Sequence, residues 1–286
     1  MRFAICPLSV IPIRSQANHQ SELLSQLLFG EMAEVIDKKG KQWLKVRGLA
    51  DNQFGWVQSN QLTEIDEKLS RKLETDFAFA LDISKTIRGN QNHFTIPIGA
   101  RLPQFDGLRF KLLGKNYEYS GQAVSPDEIK RNAQELLPKI ARKFLNIPEM
   151  KGGRTAFGMD SSALIQHVFG FIGINLPRTA DLQIDSGENI DFSEQSGEGD
   201  LAFFENRKGK ITHVGLILNG GQIIHSFGKV RIDKIDHYGI FDEETNKYSH
   251  KLRLIKRNLA PKPTSEKTEI QENEISLIEQ KILFEN

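Results

Sequence analysis

The chain has 286 residues, enough for two or three domains of about 100–200 residues each. Its 38 basic and 37 acidic side chains leave a net charge of +1, which excludes capture of nucleic acid or anionic lipid by bulk charge. A lone cysteine, Cys6, excludes an intramolecular disulfide and a cysteine-built zinc cage, and no apolar run reaches the roughly 18 residues of a membrane-spanning helix.

The N-terminal "MRFAICPLSVIPIRSQ" is broken by two prolines and lacks a clear small-residue cleavage site. It reads as a strand of the mature protein, so a cytoplasmic location is expected, although export without a cleaved signal would leave the same sequence. "AEVIDKKGKQWLKVRGLADNQFGWVQSNQL" then alternates strands with turns, and in "QWLKVR" Trp43, Lys45 and Arg47 share one face while Leu44 and Val46 share the other. Residues 1–65 are expected to form a small β-barrel, with Trp43 and Trp56 either filling its core or offering aromatic surface. "EIDEKLSRKLE" predicts a charged helical connector. Over residues 75–124, short strands separated by Gly, Pro and Asp predict a second small barrel. Pro126 opens a change of pattern, with Ile129, Ala133, Leu136, Leu137, Ile140 and Phe144 at helical spacing, so a third domain is expected over 126–257. Residues 258–286 read as a polar tail, in which "ISLIEQKILF" has an amphipathic pattern.

Two stretches carry chemistry. In "GMDSSALIQHVFGFIGINLPR", Leu164, Ile165, Val168, Phe169 and Ile172 make one apolar stripe, so a buried helix begins near Asp160 or Ser161 and stops at Gly173. A side chain at that start meets unpaired backbone N–H groups and the positive end of the helix dipole. The position suits a cysteine nucleophile, but these residues taken alone favour an ordinary Ser or Asp cap. Downstream, "ITHVGLIL" and "QIIHSF" flank "NGG", a hairpin signal. A three-residue loop, Asn219 to Gly221, puts Leu218 opposite Gln222 and sets His213 and His225 on one face, on a diagonal of about 7–8 Å. A two-residue loop puts them on opposite faces. On one face, His213 can serve as general base with His225 holding its orientation.

Taken with "GGRTAFGMDSSALIQHVFGFIGINLPRTADLQ", "GDLAFF", "ITHVGLIL" and "IIHSFG", residues 126–257 resemble the NlpC/p60 family of papain-like cysteine peptidases. The run "QWLKVR" followed by "FGWVQ" resembles bacterial SH3-like modules, which in γ-D-glutamyl-L-diamino acid peptidases precede such a domain. The resemblance implies an α+β protein, a papain-like NlpC-type domain behind two small SH3-like β-barrels. It implies cleavage of murein stem peptides of the L-Ala-γ-D-Glu-diaminopimelate type, between γ-D-Glu and the diamino acid. His213 and His225 then correspond to catalytic positions, and Asp160 and Ser162 to residues that hold the substrate's free amino end. The expected partner is the murein peptide, with no nucleic acid, membrane, cofactor or metal, and the protein is expected to be a monomer.

Ser161 stands where the family has its cysteine. A thiol of pKa about 8.5 drops several units beside a histidine and a helix N-terminus, whereas a hydroxyl does not ionise there and needs concerted proton removal. Weak hydrolysis at most is therefore expected. An introduced Cys-to-Ser exchange and a natural loss of catalysis both fit, and the otherwise intact motif favours the first. The substrate wall also departs from the family. "PEMKGG" puts Glu149 and Lys151 where aromatic residues are usual, and Thr179 follows "LPR" where an Asp is usual; Glu149 and Thr179 join the candidate substrate contacts. The alternative is a catalytically silent protein that binds the same fragments. A serine hydrolase of the α/β type is disfavoured because "GMDSSA" lacks the glycines of its elbow.

Overall fold

A computed structural model describes residues 2–90, 92–190 and 196–259, together with 280 and 282. The chain divides into two compact units. One comprises Met1–Glu128 with Lys151–Ala156, and the other Ile129–Met150 with Phe157–Phe284. The tail expected beyond residue 258 lies, apart from 258, 259, 280 and 282, outside the described residues.

In the first unit, seven antiparallel strands form one sheet in the order Leu23–Leu28, Val10–Arg14, Phe54–Gln58, Trp43–Gly48, Met32–Lys39, Arg2–Ile5, Thr63–Ile65. Ala4, Ile11, Ile13, Leu44, Val46 and Val57 fill its core. The connector is helix α1, Glu67–Thr75, whose N-cap Asp66 accepts from Leu69 N. Beyond it lie a four-stranded sheet and a three-stranded sheet, together spanning Phe77 to Val124.

The sequence reading treats 1–65 and 75–124 as separate barrels, but they share a core. Ile5, Phe29 and Met32 pack with Ala80, Ile87, Ile96, Phe110, Tyr117 and Tyr119. The Phe29 ring meets Phe94, Phe110 and Tyr117 edge-on, with centroids 5.7, 5.8 and 6.0 Å away. Gly30 allows this insertion. It adopts φ +77°, and a Cβ there would lie 2.3 Å from the Arg101 carbonyl oxygen. Lys151–Ala156 joins the same unit through a buried bidentate pair, Arg154 Nη1 and Nη2 to Glu31 at 2.9 and 3.0 Å. Burial alone would raise the Glu31 carboxyl, but Arg154 and Arg101 hold it below the ordinary carboxylate range.

The second unit opens with the end of α2, Pro126–Lys130, followed by α3, Ala133–Arg142, so the predicted helical run is split near Asn132. The buried helix α4, Ser161–Phe171, and the short α5, Ala180–Gln183, follow. Six antiparallel strands then close a barrel: Leu201–Glu205, Ile211–Leu218, Gln222–Phe227, Lys229–Ile235, Gly239–Asp242 and Lys247–Arg257. The last strand closes it by pairing with both Gly239–Asp242 and Leu201–Glu205. Ala202, Phe204, Ile217, Ile223, Ile235, Ile240 and Ile255 pack inside.

Phe29→Ala should lower stability by about 3–5 kcal/mol. Both tryptophans, Trp43 and Trp56, lie in the first seven-stranded sheet or its strands, whereas the Phe29 side chain sits in the other core. Urea unfolding followed by tryptophan fluorescence should therefore shift to lower denaturant. An unmoved transition would mean that the two sheet systems unfold independently.

Candidate active site

The site starts at α4. Asp160 is its N-cap in extended conformation, and Asp160 Oδ1 accepts from Ala163 N at 2.9 Å. Ser161 occupies the first helical position. It is buried. Ser162 Oγ donates to Asp160 Oδ1 at 3.0 Å. Arg178, almost wholly buried, donates Nη1 and Nη2 to the two Asp160 oxygens at 2.8 and 2.7 Å, and Nη1 to Ser162 Oγ at 3.1 Å. Gln183 Nε2 reinforces this by donating to the carbonyls of Ser162 and Pro177. The "LPR" segment is thus bolted to the first turn of α4. No local pattern in the sequence marks Arg178, because its partner is a cap 18 residues away.

α4 packs against the Ile211–Leu218 and Gln222–Phe227 strands. Buried Ser226 donates Oγ to the Met159 carbonyl at 2.7 Å, fixing the backbone just before Asp160 beside the strand that bears His225. The hairpin has the three-residue loop, with Leu218 opposite Gln222 and both Gly220 and Gly221 at positive φ. Strand alternation then puts His213 and His225 on the face of Ile217 and Ile223, the inside of the barrel.

There the two rings meet at right angles, with His213 Nε2 and His225 Nδ1 2.9 Å apart. His225 Nε2 lies 2.9 Å from Asp233 Oδ2, on the next strand, and Asp233 Oδ1 accepts from Arg231 Nε and Nη2. Burial would raise the Asp233 carboxyl, but His225 and Arg231 hold it below the ordinary range, so it is an ionised acceptor. With both rings uncharged, the tautomers follow from that acceptor. His225 Nε2–H donates to Asp233, His225 Nδ1 accepts from His213 Nε2–H, and His213 Nδ1 keeps a lone pair. Burial, then His250 and His225, push His213 well below the ordinary imidazole range, so it rests neutral.

His250, from the closing strand, completes the cluster. Its ring stacks on His213 with centroids 4.0 Å apart and planes inclined by 25°. Burial, followed by His225 and partly offset by Asp233, pushes His250 down to about 4. The nitrogens of His213, His225 and His250 lie within 4.8 Å of one another, a set that resembles metal ligands by distance. Its geometry does not suit a metal. Both His225 nitrogens are already engaged, and the lone pairs of two stacked rings run in nearly parallel planes instead of converging on one ion about 2.0 Å away.

The other candidates lie elsewhere. Glu149 Oε2 accepts from Gly228 N at 2.7 Å, so it pins a loop with one of the oxygens expected to meet substrate. Lys151 pairs with Glu22 within the first unit. Thr179 is the exposed N-cap residue of α5 and makes no side-chain capping bond. Asp233 and His250 escaped the sequence reading. For His250, the spacing to Leu252 was the available signal for an inward face; a bulge beyond Leu252 then passes that face to Ile255.

Fold and site define a barrel-and-helix domain with a buried helix start and an imidazole ladder, preceded by strand-rich SH3-like structure. Residues 150–249 match the NlpC/P60 family model, and residues 13–62 match the bacterial dipeptidyl-peptidase Sh3 domain. The chain thus carries an NlpC/P60 domain over residues 150–249, behind an N-terminal region that matches a bacterial SH3 domain. It is 28% identical over 230 residues to a γ-D-glutamyl-L-lysine dipeptidyl-peptidase of Bacillus cereus, covering 72% of this chain and 68% of that protein. It is 26% identical over 228 residues to the Bacillus subtilis protein of the same name, covering 71% of each. The fold matches the crystal structure of a Bacillus cereus NlpC/P60 family protein with TM-score 0.75 and 20% identity, over 90% of this chain and all of that one.

Two outcomes follow from the buried charges. Arg178→Met leaves the Asp160 carboxylate without its buried partner and should cost about 3–5 kcal/mol in urea unfolding. For pH, the folded-state values of His213 and His250 lie below the ordinary imidazole value of 6.5. The unfolded chain therefore takes up protons first, and stability present above about pH 6.5 declines as pH falls toward 4. Urea midpoints at pH 7, 6 and 5 should show this decline, with a shallower slope in His250→Phe.

Proposed function

We propose that this protein is a murein stem-peptide hydrolase site, cutting between γ-D-Glu and the diamino acid of peptides with a free N-terminal L-Ala, and that Ser161 occupies the nucleophile position. The dipeptidyl-peptidase names of the two Bacillus relatives support the substrate class. The observation that carries the reading is the direction of the ladder: Asp233 and His225 commit His213 Nε2, and His213 Nδ1 is left to take a proton. In the reaction, the residue-161 side chain attacks the γ-carbonyl carbon as its proton passes to Nδ1. The negative oxygen that forms is stabilised by N–H groups at the start of α4. The C–N bond then breaks, His213 returns the proton to the leaving amine, and water hydrolyses the acyl group by the same route. Imidazolium formed on His213 is stabilised through His225 by the Asp233 carboxylate. Asp160 and Ser162 hold the substrate's amino end, with Arg178 fixing their orientation.

The nucleophile limits this chain. A serine hydroxyl has to be deprotonated in the transition state by a base that burial has made weak, whereas a thiol loses its proton readily there. Ser161→Cys should therefore release L-Ala-D-Glu from L-Ala-γ-D-Glu-diaminopimelate or its L-Lys counterpart at least roughly 100-fold faster than the Ser161 protein. Mass spectrometry of both digests reads this. Silence of the cysteine form on both peptides, with the fold intact and the peptides bound, would establish the silent fragment-binding protein instead.

A further inference from the structure

We propose that His250 is a positioning residue for His213, fixing the plane of the His213 ring and keeping water from it. The inference rests on the reading of His213 as general base. His250 lies one residue beyond the stretch matched to the family model, on the strand that closes the barrel. Its ring covers one face of His213 at 4.0 Å. Phe204 stands against both rings, 5.8 Å from His213 and 5.9 Å from His250. Phe227 meets His250 edge-on at 4.9 Å, and Ser249 Oγ lies 2.9 Å from His250 Nδ1. His250 is therefore clamped on its own account and able to orient a neighbour.

The hydrogen bond to His225 leaves His213 free to swing about the Nε2–Nδ1 line, which changes where Nδ1 points. Stacking removes that freedom, because a rotation that tilts the ring runs into the His250 face. The groups facing His250 are His213 and His225 from two adjacent strands, Asp233 from the third and the apolar Ile240 opposite it in the Gly239–Asp242 strand. A charged ring in that company would oppose an imidazolium on His213; an uncharged one does not. His250 touches no bond that breaks, so its role is orientation and exclusion of water, and a flat apolar ring should replace it.

Two measurements test this. In the Ser161 protein, NMR titration of the His213 ring needs no turnover. His250→Ala should raise the His213 midpoint toward the ordinary imidazole value, as water reaches the ring, and His250→Phe should leave it low. In the Ser161→Cys background, His250→Ala should lower kcat by roughly 10- to 100-fold with KM changed by less than about 2-fold, and His250→Phe should restore kcat to within about 3-fold. An unmoved His213 midpoint in folded His250→Ala, or no recovery of kcat by phenylalanine, overturns the proposal. If Ser161→Cys proves inactive, the functional reading fails while the titration still decides the role of His250.

Discussion

Closure of the six-stranded barrel is the constraint on which the site depends. The Lys247–Arg257 strand pairs on both sides, so its inward residues complete the lining of the barrel interior. One part of that interior is ordinary aliphatic packing, with Ile217, Ile223, Ile235, Ile240 and Ile255. The other holds three imidazoles, a carboxylate and Phe204. Polar groups so deeply buried are costly unless hydrogen-bonded. The ladder meets that cost by passing every bond in one direction, from His213 through His225 to Asp233, which Arg231 neutralises.

The same burial shapes the chemistry. Desolvation keeps His213 neutral, the state that its proposed role as general base requires, and it also weakens the ring as a base. A thiol tolerates a weak base because it ionises readily at a helix start, whereas a hydroxyl does not. In the proposed reaction, sulfur or oxygen at position 161 would therefore meet the same weakened base differently. Around it, the scaffold is rigid. Asp160 caps α4 while gripping Arg178, Ser226 holds Met159, and Gln183 holds the first turn from the other side.

Rigidity in the first unit comes from a different device. Phe29 leaves the sheet to which its neighbours belong and fills the core of the next strand system. A buried Arg154–Glu31 pair ties a six-residue segment that begins 20 residues after α2 to that unit. Both contacts join residues far apart in the chain, so neither leaves a periodic trace.

Local physics made much of the protein legible. The apolar stripe after Asp160, the stop at Gly173 and the "NGG" turn reported a helix start and a hairpin, because each depends on residues within about one turn or one loop. Once the loop length was three, strand alternation alone put His213 beside His225. The helix start and the turn belong to the sequence by itself, whereas the loop length that sets the histidine face was decided by the structure. Only the tertiary structure decided that Arg178 would lock the Asp160 cap, that Asp233 would orient the ladder and that His250 would lie on His213. A buried charge or ring takes its meaning from what packing brings against it: Asp233 comes from the neighbouring strand, Arg178 from the segment after α4, and His250 through barrel closure.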